Sequence, residues 1–175
     1  PHVVIEEGVS IGDGVEVFPG SYIGKRTNGA GATSRPYTYT PRVLIGNECA
    51  IGPNAVIFYD VDVGHNTLLG DGASLREQVK VGHHCLIGRY VTVNYNTRIG
   101  DRTKIMDLTH ITGNCRIGRN VFIGMLVSTG NDNDLVKREF CEENVVGPVI
   151  SDGVTVGIGA TILPSIIIGE GAVIG

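Results

Sequence analysis

From Ile45 to Ile123 an aliphatic residue recurs at every sixth position without a break: Ile45, Ile51, Ile57, Val63, Leu69, Leu75, Val81, Ile87, Val93, Ile99, Ile105, Ile111, Ile117 and Ile123. Four residues after each stands a small or β-branched residue, as at Cys49, Ala55, Val61, Thr67 and Ala73. A helix repeats at 3.6 residues and a half-buried strand at two, so neither gives a period of six. A stacked solenoid does, with one short strand and one turn per hexad. The pattern therefore predicts an all-β coil.

A longer period lies inside the first. Gly follows the aliphatic residue at positions such as Gly46, Gly52, Gly64, Gly70, Gly82, Gly88, Gly100, Gly118 and Gly124. It is missing at Phe58, Arg76, Asn94 and Thr112, which are eighteen apart, with Met106 as an extra exception. Three hexads then make one coil of a triangular prism. Gly suits the corners because turns there need φ > 0 or a close backbone approach. Residues eighteen apart should lie about 4.8 Å apart along the stack, the spacing of neighbouring strands.

The count slips twice. Ile5, Ile11, Val17 and Ile23 form an opening set, and the clock resumes at Ile45 in another phase. The stretch 25–42 between them, with Gly29, Gly31, Pro36 and Pro41, reads as an extruded loop. It also carries Arg35, Tyr37 and Tyr39. The second slip predicts a polar loop over 125–147, and the clock restarts at Ile150. Long ordered loops on a regular rod are usually functional.

Repeats such as Ile87-Gly88-Arg89-Tyr90-Val91 resemble those of the hexapeptide-repeat acyltransferases, whose fold is a left-handed parallel β-helix. The left hand comes from that resemblance, since parallel crossovers are generally right-handed. Within the superfamily, Val127-Ser128-Thr129-Gly130-Asn131-Asp132, then Pro148-Val149-Ile150 and Gly157-Ile158-Gly159-Ala160-Thr161-Ile162-Leu163-Pro164, look like the N-acetyltransferases of nucleotide-linked amino sugars. Gly130 stands where that pattern has Thr, and Ser165 where it has Gly. The resemblance implies acetyl-CoA as co-substrate, a nucleotide sugar as acceptor, and a homotrimer with sites between adjacent subunits. It also implies that Gly157, Gly159, Ala160 and Ser165 lie along the acetyl donor.

Amine attack on a thioester needs an unprotonated nucleophile, an orienting hydrogen bond and a stabilised oxyanion. Asp132 suits the first task, and Asn131 the second or third. His110 has the right ordinary pKa for a general base. Its hexad position predicts a corner, one coil below Ser128 and the Asn-Asp pair. His83 lies in Val81-Gly82-His83-His84, similar to the stretch bearing the catalytic His in the lipid A and bacillosamine branches, but without the acidic neighbour found there. It also stands in a column His65-His83-Asp101-Arg119, which a surface charge ladder explains as well. Asn94 and Asn96 are candidates for substrate contact, with Asn96 in a polar ladder between Gln78 and Asn114.

The chain of 175 residues carries a net charge of −4 and dispersed Lys and Arg, so no basic stripe points to nucleic acid. No long apolar run predicts a membrane span and no secretory signal is visible. One β-helix domain over 1–175 is expected. Cys49, Cys85 and Cys115 fall at inward positions and Cys141 in the second loop, usage that suits a reducing cytoplasm and no metal. The chain opens on Pro1 and stops in mid-hexad at Gly175, so further residues are expected at one or both ends, a C-terminal cap among them. Two other functions fit the same coil: a trimerising β-helix without catalysis, and a γ-type carbonic anhydrase with three His on zinc.

Overall fold

The computed structural model describes residues 2–33, 35–132 and 141–175. Three eight-stranded parallel sheets form the walls of a triangular prism. Sheet A begins with Val4–Ile5, sheet B with Val9–Ile11 and sheet C with Glu16–Val17, and the chain visits A, B and C in turn. Each visit to all three makes one coil, and the coils are numbered here from one to eight. Strands pair with a shift of eighteen residues, as in Ser74↔Thr92 and Thr92↔His110. At the two loops the shift widens, to Val9↔Val43 and Arg116↔Val149.

Inside the prism the aliphatic clock forms stacked columns. Ile57, Leu75, Val93 and Ile111 are all fully buried on the inner side of sheet A. The small inward residues do a second job at the corner between sheets B and C. Cys49 Sγ donates to the Gly64 carbonyl at 3.1 Å, and Thr67 Oγ1 to that of Gly82 at 3.0 Å. Cys85 Sγ follows to Gly100 at 3.2 Å and Thr103 Oγ1 to Gly118 at 2.8 Å. Thiol and hydroxyl alternate because each supplies one short donor to a buried carbonyl of the next coil.

Corner glycines are required by proximity, not by φ. A Cβ on Gly64 would sit 2.6 Å from the Gly82 carbonyl carbon and oxygen. The left-handed residue comes two positions later, as at Asn66 (φ 54°), His84 (55°), Arg102 (57°) and Asn120 (55°).

Both loops leave the same corner, between sheets A and B. The first runs 26–42 between the strands Tyr22–Lys25 and Val43–Ile45, in coil two. The second is shorter than the sequence suggests. Residues 125–129 continue the coil, with a strand at Ser128–Thr129, so the loop spans 130–148 in coil seven. Thr129 hides this continuation, because it fills the aliphatic position with a hydroxyl. It is buried, and its Oγ1 accepts from the Thr112 N–H at 2.8 Å. Among the described residues no helix is long and apolar enough to cross a membrane.

Candidate functional site

The four hexads that lack Gly at intervals of eighteen, at Phe58, Arg76, Asn94 and Thr112, all fall at the A–B corner, whereas Met106 lies at the C–A corner. Tyr59, Glu77, Tyr95 and Gly113 follow one another there in coils three to six, between the two loops. With no corner Gly, the turn carries outward side chains that the loops can grip.

Loop one reaches along the rod to coils four and five. Its Arg35 forms an ion pair with Glu77 and lies over the Tyr95 ring, 3.6 Å from the ring centre. Thr27 Oγ1 donates to Glu77 Oε2 at 2.9 Å, and Arg76 Nε donates to the same oxygen at 3.0 Å. Glu77 is fully buried. Burial alone would raise its pKa, but hydrogen bonds from its own backbone, Arg35, Arg76 and Thr27 outweigh that and hold the carboxyl below its ordinary range. Farther up, Arg42 grips Asp62 at 2.5 Å where the loop returns to the rod.

Loop two comes back from coil seven to the same tyrosine. Asn131 Nδ2 donates to Tyr95 Oη at 3.3 Å and to the Gly113 carbonyl at 3.2 Å. Both amide hydrogens are thus engaged, and Oδ1 is left as the acceptor end of the side chain. Asp132 bridges Val145 in antiparallel fashion, closing the base of the loop. Residues 133–140, including Asn133, Asp134, Lys137 and Arg138, lie outside the described residues. Tyr95 therefore ties together two loops extruded five coils apart.

Asn94 and Asn96 belong to this corner. Asn96 Nδ2 donates to Asn114 Oδ1 at 2.8 Å, and Asn114 Nδ2 to the Val145 carbonyl of loop two at 2.6 Å. The expected ladder runs from Asn96 to Asn114, but Gln78 leaves it and donates to the Thr38 carbonyl of loop one at 3.0 Å. All three have left-handed φ, which Asn tolerates better than most residues.

His110 does not lie at a corner. It is in the strand His110–Ile111 on the outer side of sheet A, half-buried, with Ser128 in register one coil on. Hexads end in a strand, not in a turn, which places it on a wall. Its Nδ1 shares a 2.7 Å hydrogen bond with Thr92 Oγ1, and burial lowers its pKa. His83 lies elsewhere, exposed at the B–C corner. There the His83 N–H donates to Asp101 Oδ1 and its Nδ1 accepts from the His65 N–H, both at 2.9 Å. The His65 and His83 rings stack at 4.9 Å. Among the described residues no group of three or more His, Cys, Asp or Glu is placed to hold a metal ion.

The four residues expected along the acetyl donor split between two corners. Gly157 and Gly159 turn the C–A corner of coil seven, with Ala160 just inside it. Nothing stands within 4 Å of a Cβ built on Gly159, so that surface is open. Ser165 is at the A–B corner of coil eight, with φ 61° and its N–H on the Val146 carbonyl at 3.0 Å. That left-handed turn is where Gly is easiest, and Ser occupies it here.

Sequence reasoning missed Glu77, Arg76 and Tyr95, and gave Arg35 no role. A signal was present: the Gly-less hexads eighteen apart mark one corner, and both slips of the clock begin there. Arg26, Tyr37 and Tyr39 of loop one, with Tyr59 of the rod, line a pocket of about 530 Å³.

The family described as bacterial transferase hexapeptide (six repeats) matches residues 96–131, and that described as hexapeptide repeat of succinyl-transferase matches 42–76. A search of curated protein sequences found no match. Among solved structures, LpxA of Bacteroides fragilis, a UDP-N-acetylglucosamine acyltransferase, is similar over 100% of this chain and 66% of its own, at 18% identity and TM-score 0.51. LpxA of Acinetobacter baumannii covers 93% and 63%, at 18% and 0.46. A perosamine N-acetyltransferase of Caulobacter crescentus, solved with CoA and GDP-perosamine, covers 95% and 48%, at 16% and 0.36. The first likeness is one of fold, and the other two are too distant to add to it. The prism is a left-handed parallel β-helix, and two stretches of it, 42–76 and 96–131, match hexapeptide-repeat transferase families.

Proposed function

We propose that this chain transfers the acetyl group of acetyl-CoA to the amine of a nucleotide-linked amino sugar, held at the A–B corner between the two loops. The observation that carries this reading is the meeting of Arg35 and Asn131 on Tyr95. The transferase repeats and the motif around Asn131-Asp132 supply the reaction class.

In this reading the amine attacks the thioester carbonyl, the C–N bond forms, and the C–S bond breaks to release CoA. Asn131 accepts from the incoming amine through Oδ1, since Tyr95 and Gly113 hold its N–H groups. Asp132 or His110 takes the proton the amine sheds. Burial keeps His110 neutral and able to accept near pH 7. Asn94 and Asn96 contact the sugar, and Tyr37 and Tyr39 of loop one with Tyr59 offer a stacking surface for the base. Gly157, Gly159, Ala160 and Ser165 give the pantetheine arm close access to the backbone. The protein is a cytoplasmic homotrimer in which a neighbour's loop completes each site. His83, at another corner, has a place in this scheme only through such a neighbour.

Calorimetric titration of acetyl-CoA, followed by thiol-release assays with amino-sugar nucleotides, tests the reading. Asn131→Ala and Asp132→Ala should bind CoA and lose turnover. Tyr95→Phe should lower turnover about tenfold, the value of one hydrogen bond of about 1.4 kcal/mol. Failure of the wild type to bind CoA at millimolar concentration would refute it and favour a trimerising scaffold.

A further inference from the structure

The outer side of sheet B carries Asp62, Lys80, Arg98, Arg116 and Val149 in register up consecutive coils. Neighbouring strands are about 4.8 Å apart, so like charges placed opposite each other repel. Lys80 is relieved by Asp62 at 3.1 Å. Arg35, Arg42, Arg76, Arg89 and Arg119 likewise each have a carboxylate partner. Among the described residues Arg98 and Arg116 have none, although they are paired strand to strand.

Arg116 is also held in place, while Arg98 is exposed beside it. Arg116 Nη1 donates to the Asn96 carbonyl at 2.6 Å and to the Cys115 carbonyl at 3.0 Å. Its pKa is drawn down by burial and by the Arg98 charge. Both arginines line a groove of about 410 Å³ on sheet B, with the exposed Val149 on its apolar side. Two carboxylates reach the same groove from the B–C corner. Asp152 is occupied there by the Arg119 N–H at 2.7 Å and its Nε at 3.2 Å, while Glu170 is exposed at the rim. A chain of net charge −4 has no general attraction for anions, so two uncompensated guanidinium groups side by side are a local feature.

We propose that Arg98 and Arg116 form a binding subsite for the diphosphate of an organic ligand, whose uncharged part lies against Val149. Adjacent guanidinium forks match phosphate oxygens in geometry, and an anion between them removes their repulsion. Acetyl-CoA and nucleotide sugars share this chemistry. The inference needs no acyl transfer, so binding and turnover can fail separately.

The test is calorimetry of the full chain at low salt with inorganic pyrophosphate, then competition by CoA and by UDP. Wild type should bind pyrophosphate, more weakly as salt rises. Arg98→Gln, which breaks no side-chain hydrogen bond among the described residues, should weaken binding at least tenfold. Arg116→Gln should do the same, with circular dichroism to verify folding. Arg102→Gln, whose guanidinium bonds Asn120 outside the groove, should bind as wild type. Displacement by CoA assigns the subsite to the donor, and displacement by UDP to the acceptor. The proposal is overturned if wild type does not bind at millimolar concentration, if Arg98→Gln binds normally, if Arg102→Gln is equally weakened, or if neither organic ligand competes.

Discussion

Glu77→Gln is the sharpest probe of how loop one is docked. The substitution keeps the size of the side chain and one carbonyl acceptor, but removes the charge that faces Arg35 and Arg76. Thr27 and Arg35 are the two loop-one residues bonded to this carboxylate. Hydrogen bonds to a charged group contribute about 1.5–3 kcal/mol each, and a buried pair broken on one side costs about 3–5 kcal/mol. Since Gln retains part of the contact, about 3 kcal/mol is the expected loss in docking, or roughly a hundredfold more open loop. The stacked coils do not hang on this loop, so the thermal midpoint of the rod should move little. Hydrogen exchange of peptides from 26–42, corrected for intrinsic rates, reads the effect directly. A pH series gives an independent sign. The Glu77 pKa is lowered in the folded protein, so its stabilisation is complete above the ordinary value of 4.5 and is lost as pH falls through the folded value. Wild-type protection should therefore fall in acid below about pH 4.5, while the variant stays flat. Protection within threefold of wild type at pH 7 would refute the anchoring role.

Three further outcomes follow from the packing. Gly64→Ala drives a Cβ into the Gly82 backbone and should cost about 1–3 kcal/mol in a urea melt, whereas Gly169→Ala, with nothing within 4 Å, should be near neutral. Of the four thiols, only Cys141 should react quickly with a disulfide reagent at pH 8, because the other three are buried and burial pushes Cys115 up to about 12. Unfolding should release all four. Burial lowers the His110 pKa, so the imidazole is neutral above that value and becomes charged only below the ordinary 6.5. If it is the base, the acid limb of kcat/KM should lie below pH 6.5 and vanish in His110→Ala; an unchanged limb removes it from the reaction.

The coil was legible because its period is enforced at every position. Each sixth residue must fill the same interior volume, and each corner Gly must let two backbones approach. The site was legible only where it lay on such a clock. Asn131-Asp132 stood out as a motif, and the Asn96–Asn114 ladder followed from a spacing of eighteen. Glu77 and Tyr95 did not, because their partners come from a loop forty-two and sixty residues earlier in sequence, whose path no periodicity fixes. His110 shows the opposite limit: its register with Ser128 one coil away was foreseen, but the expected corner proved to be a wall, since the sequence count does not say where strand gives way to turn.

The same steric rule explains why both loops collect on one edge. At the B–C corner Gly64, Gly82, Gly100 and Gly118 pack backbone on backbone, and side chains such as His83 and Asp101 are used up in accepting N–H groups from the coil before. Such a corner is closed by its own ladder. At the A–B corner the turn residues carry side chains instead, and their polar groups need partners that the rod does not supply. Loop one answers Glu77 and Gln78, and loop two answers Asn114 and Tyr95. The loops are therefore bound to this edge by the polar groups that its turn residues carry. A ligand that enters there meets side chains already fixed from both directions, which is the preorganisation that a transfer site requires.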